Sequence, residues 1–162
     1  MCQQTSRTER LSRLATRRGW VALACLLLVS YAQAHVSITP RQSQQGATEK
    51  YVVRIPTEGN IATVGADLEV PEGVIVETLQ MPAGWTYEVK RADDRIVSVA
   101  WNVDVKPGEF IEVAFVARNP RQGTEIIWML RQRFADGTVT DWTNGPNGIR
   151  PTARTALTPR QQ

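Results

Sequence analysis

From residue 35 onward, apolar and polar residues alternate in short runs, and no stretch holds the 3.6-residue period of an amphipathic helix. Nine runs read as strands: 36–39, 49–55, 62–70, 74–79, 86–91, 96–103, 109–117, 125–134 and 138–142. Turn residues separate them at intervals of about 8–12 residues, the spacing of a sandwich or barrel. Pro71-Glu72-Gly73, Met81-Pro82-Ala83-Gly84, Lys106-Pro107-Gly108, Asn119-Pro120 and Ala135-Asp136-Gly137 each supply a fixed φ or a position tolerant of positive φ. Alternation also assigns faces. In the 109–117 run, Ile111, Val113, Phe115 and Ala117 share one side and read as core, while Phe110, Glu112 and Ala114 form a mixed, partly wet face. After Trp142 the pattern stops at Asn144-Gly145-Pro146-Asn147-Gly148. Residues 150–162, polar and carrying Pro151 and Pro159, are expected to form a loose tail.

The first 34 residues follow a different rule. Arg7, Arg10, Arg13, Arg17 and Arg18 make a positive start, residues 21–29 are apolar, and Ala32-Gln33-Ala34 closes the segment as a small-x-small cleavage site. The apolar run falls well short of the ~20 residues that span a bilayer, so it reads as a secretory signal rather than an anchor. Thr16-Arg17-Arg18-Gly19-Trp20-Val21 partly matches a twin-arginine export motif, which leaves both export routes open. A competing site, Leu23-Ala24-Cys25, would make Cys25 a lipidated terminus. It puts Ala22 where such sites favour Leu and cuts the apolar run in half, so cleavage after Ala34 is preferred.

That cleavage changes the composition. Cys2 and Cys25 are both lost, so residues 35–162 hold neither thiol nor disulfide and must fold on their core alone as one domain of 128 residues. They contain 14 basic and 15 acidic side chains. The basic character of the full chain thus belongs to the signal, and nucleic-acid binding is not expected.

Cleavage also creates a chemical group. His35 is the sole histidine of the chain and becomes its first residue, with a free α-amine beside the imidazole. Amine nitrogen, Nδ1 and the backbone between them can close one chelate ring around a metal, which an internal histidine cannot do. Two further residues draw notice. Glu49 has the strand parity of Tyr51, Val53 and Ile55, where a carboxylate needs compensation, by a cation or by reaching solvent past the sheet edge. Trp142 ends a strand before a Gly/Pro/Asn loop, either capping the core or standing beside a bound cation. Its indole N–H only donates, so it would act as a wall or as a hydrogen-bond partner to a ligand.

His35-Val36-Ser37-Ile38-Thr39-Pro40, Gly46-Ala47-Thr48-Glu49-Lys50-Tyr51, Met81-Pro82-Ala83-Gly84-Trp85, Phe115-Val116-Ala117-Arg118-Asn119-Pro120 and Thr140-Asp141-Trp142-Thr143 together resemble the YcnI-like family of exported copper-binding domains. The likeness runs from His35 to Thr143. It implies a single all-β domain over residues 35–149, an antiparallel β-sandwich of immunoglobulin or cupredoxin-like type. It also implies a Cu(II) site, a monohistidine brace, whose roles fall on His35, Glu49 and Trp142. The expected role is copper chaperoning, storage or scavenging in the periplasm or otherwise outside the cytoplasm, without a membrane span in the processed form. A copper-handling protein of the inner membrane or periplasm is the partner so implied. Donor chemistry agrees, since two nitrogens and a carboxylate oxygen suit tetragonal Cu(II), whereas Cu(I) would favour sulfur and only Met81 and Met129 follow the signal. A single histidine excludes the two-imidazole brace of polysaccharide monooxygenases and any Ser-His-Asp or Cys-His triad, so no enzymatic activity is expected. The competing reading is a metal-free immunoglobulin-like interaction module of the cell envelope.

Overall fold

The computed structural model describes residues 35–57, 59–143 and 150–160. The predicted signal with its cleavage site, and the 144–149 loop, lie outside the described residues.

The strands are β1 (Ser37–Thr39), β2 (Gln42–Gln44), β3 (Thr48–Pro56), β4 (Thr63–Glu69), β5 (Ile75–Leu79), β6 (Thr86–Ala92), β7 (Arg95–Val105), β8 (Phe110–Arg118), β9 (Glu125–Phe134), β10 (Val139–Trp142) and β11 (Ala153–Thr158). No helix among the described residues is long and apolar enough to cross a membrane. One sheet has the order β1-β3-β8-β5; the other runs β2-β11-β9-β4-β7-β6, with β10 also paired to β9. Every pair is antiparallel except β2 with β11, which run parallel. Of the sandwich or barrel that the periodicity allowed, the sandwich that the family resemblance implied is present, with one parallel pair at an edge.

Period-2 patterning builds the core. Tyr51, Val53 and Ile55 of β3 and Ile111, Val113, Phe115 and Ala117 of β8 face inward against Ala66, Leu68, Val99, Trp101, Ile126, Trp128 and Leu130 of the opposing sheet. Phe110 and Glu112 are exposed, as their parity demands, but Ala114 is buried. Tyr51, Phe115 and Trp128 form an aromatic cluster with ring centroids 4.8–5.6 Å apart, in tilted, stacked and edge-on arrangements that suit their quadrupoles.

Turn chemistry fixes the hairpins. Between β6 and β7, Asp93 and Asp94 both take positive φ, 48° and 64°, as a two-residue hairpin turn requires. Between β9 and β10, Gly137 sits at φ 85°, and Asp136 Oδ1 accepts from both the backbone N–H and the hydroxyl of Thr138.

The expected loose tail is not there. Residues 153–158 form β11, between β9 and β2. Thr155 explains the docking: its Oγ1 accepts from Trp128 Nε1 at 3.1 Å and donates to the Pro40 carbonyl at 2.9 Å. Thr155 and Leu157 are buried while Ala156 is exposed. The alternation is real, but it is written in Thr and Ala, residues that carry little hydropathy signal.

Candidate metal centre

Strand register decides which of the three candidate residues meet. In β1, Ser37 pairs with Arg54 and Thr39 with Val52, so the chain preceding β1 runs alongside the Pro56 end of β3. His35 is exposed there. From the other sheet, β10 pairs with the second half of β9 and ends with Trp142 opposite Leu130. The two rings meet edge to face, with centroids 6.1 Å apart and planes at 69°. His35 and Trp142, separated by nearly the whole domain in sequence, are neighbours.

Trp142 is held from behind by a buried amide. Its Nε1–H donates to Gln132 Oε1 at 3.2 Å. Gln132 Nε2 in turn donates to the Pro56 carbonyl at 2.9 Å and to Thr63 Oγ1 at 2.7 Å, and Thr57 Oγ1 donates to Thr63 Oγ1 at 2.8 Å. Gln132 is only 1% exposed, and this network ties β3, β4, β9 and β10 together across the sandwich. The indole N–H is therefore already committed, which leaves the ring itself as the part of Trp142 that faces His35.

Glu49 lies elsewhere. It pairs with Ala117 near the start of β3, seven positions from Pro56, a distance of about 23 Å at ~3.3 Å per residue. The structure does not bring it to His35. The compensation its parity demanded comes from a hydroxyl instead: Ser43 Oγ donates to Glu49 Oε1 at 2.6 Å. Asn119 Nδ2 donates to Ser43 Oγ and to the Gln44 carbonyl, while Tyr51 donates its hydroxyl to Asn119 Oδ1 at 2.5 Å. Burial, reinforced by the Glu49 charge and only partly offset by the Asn119 bond, pushes the Tyr51 phenol up from 10.0 to about 12. Glu49 thus belongs to a polar clasp that fastens β2 onto β3 and the end of β8.

An open groove of about 570 Å3 runs beside His35, lined also by Ser37, Arg41, Arg54, Pro56, Thr152 and Arg154. Among the described residues no group of three or more His, Cys, Asp or Glu side chains stands close enough to hold a metal. The side-chain donor that His35 offers is its imidazole. Gln132 and the arginines were not anticipated from the sequence. Gln132 was within reach, because it stands on the inward parity of β9 with Ile126, Trp128 and Leu130, the same anomaly that singled out Glu49.

Fold and site define an immunoglobulin-like sandwich whose first strand is preceded by an exposed imidazole set against a buried tryptophan. The architecture matches a crystal structure from Nocardia farcinica, described as an uncharacterized protein with an immunoglobulin-like fold. That match has a TM-score of 0.66 and 28% identity, and covers 76% of this chain and 97% of that one. Residues 35–159 match the model of a domain of unknown function, DUF1775. The chain is also 31% identical over 140 residues to the copper-binding protein CutI of Bacillus subtilis strain 168, covering 85% of this chain and 69% of CutI. The chain belongs to this DUF1775, or YcnI-like, family.

Proposed function

We propose that this protein is exported, is cleaved after Ala34, and binds Cu(II) through the α-amine and imidazole of His35 beside the wall made by Trp142. The observation that carries the reading is the approach of His35, itself a lining residue of an open groove, to the Trp142 ring. The similarity to CutI, a copper-binding protein, supports the choice of metal. The donor set fits: a five-atom backbone-to-imidazole path chelates one ion through two nitrogens, and an N,O environment completed by oxygen suits tetragonal Cu(II). Glu49 is not carried into this site, because the register places it at the other end of β3.

An exposed terminal ligand pair can exchange its donors one at a time, the behaviour wanted of a chaperone, store or scavenger handing copper to another envelope protein. No catalytic role is assigned. The test is a Cu(II) titration of protein whose first residue is verified as His35. A tetragonal Cu(II) electron paramagnetic resonance signal saturating at one equivalent supports the reading. No binding by the verified protein contradicts it and leaves a metal-free interaction module.

A further inference from the structure

The groove beside His35 is lined by three guanidiniums. Arg154 is committed, with Nη1 at 2.7 and 2.8 Å from the two carboxylate oxygens of Glu125. Arg41 and Arg54 are both exposed, and neither forms an ion pair among the described residues. Arg54 faces Glu112 across the β3–β8 register but lies instead over the Phe110 ring, 4.0 Å from its centroid. Stacking occupies the flat face of a guanidinium and leaves its in-plane N–H fork open, the edge that matches a carboxylate.

The outer face of the larger sheet offers a contrast. A second groove there, of about 420 Å3, also contains arginines. Arg133 is bound to Asp67, and Arg131 to Asp141 with Glu69 close by, so both guanidinium charges of this groove are answered within the chain. Only at the His35 groove, among these two, are guanidiniums left open.

Open positive charge is an odd setting for a bare divalent cation, which would be repelled on approach. A copper complex with net negative charge would be drawn in. The groove also has the size of a small-molecule site, for which about 300–1,000 Å3 is usual. We propose that copper reaches His35 as an anionic chelate of a small polycarboxylate, with a free carboxylate of the chelate held by Arg41 and Arg54 while the nitrogens of His35 replace part of its oxygen ligation. The metal stays Cu(II) throughout, and the amine proton released on ligation goes to solvent. This inference rests on the copper reading above and adds the form in which the metal is presented.

The experiment compares two copper sources, the citrate chelate and the neutral bis-glycinate, in loading wild-type protein beginning at His35 and its Arg41→Gln/Arg54→Gln variant. Electron paramagnetic resonance follows the loading. Loss of two exposed charge-assisted contacts should weaken loading from citrate about tenfold, while loading from bis-glycinate is unchanged or improved. Copper-free citrate should shift the arginine side-chain resonances of the wild type and not those of the variant. Equal sensitivity of both sources to the substitutions overturns the proposal while sparing the copper site. No loading of the wild type from either source overturns both. A glutamate-rich peptide that displaces citrate and depends on the same arginines would make the occupant a protein segment, which overturns the small-chelate assignment.

Discussion

A single imidazole gains its meaning from what stands behind it. Trp142 is 7% exposed, its N–H is tied to Gln132, and its ring meets His35 edge to face. Trp142→Phe should therefore leave Cu(II) bound but alter the spectrum or the exchange rate of the site; outright loss of binding in a folded variant would make Trp142 more than a wall. Gln132→Leu acts one step further back, stripping partners from Trp142 Nε1, the Pro56 carbonyl and Thr63 at once. Each buried group left unpaired costs about 1–3 kcal/mol, so urea denaturation should reveal a marked loss of stability. Glu49→Ala tests the other end of β3. Stability should fall by about 1 kcal/mol as Ser43 loses its acceptor, with Cu(II) affinity within about twofold of wild type. A selective loss of copper affinity would return Glu49 to the site.

At the scale of elements, hydropathy alternation carried most of the information. All nine predicted strands are present, because β3, β7, β8 and β9 bury one face of large apolar side chains. Two strands, β2 and β11, were illegible for a common reason. Their inward positions are Ser43, Thr155 and Leu157, and they are held largely by hydrogen bonds to Asn119, Trp128 and Pro40, groups distant in sequence. Of the three candidate residues, two come together in the structure, His35 and Trp142, and Glu49 stands apart. His35 and Trp142 were marked by the cleavage site and by strand position, but only the β1–β3 register could show that Glu49 points to a different end. Truncation before Pro151 discriminates between a tail and a strand. Loss of β11 uncovers Trp128 and strands its Nε1, so the shortened protein should fail to fold or show red-shifted tryptophan emission; unchanged stability would mean that β11 contributes nothing.

At the largest scale, the described domain is a sandwich with two dissimilar ends, and pH should act on them in opposite directions. At the clasp, the unfolded chain releases the Tyr51 proton near 10.0 while the folded chain keeps it to about 12. Folded protein then holds the extra proton in this window, so stability is full below pH 10 and declines as pH rises toward 12. Alkaline unfolding should accordingly be blunted in Tyr51→Phe, once its lower starting stability is subtracted. At the His35 end, the proposed ligation needs nitrogens that have given up their protons, so copper affinity should fall as pH is lowered, with no matching loss of fold. The most direct test places one residue in the way. Protein with a mass-verified His35 terminus is compared with protein that retains Ala34, each titrated with Cu(II) at neutral pH under electron paramagnetic resonance. The account predicts a one-equivalent tetragonal signal in the first and its loss in the second; the same signal and affinity in both would contradict it.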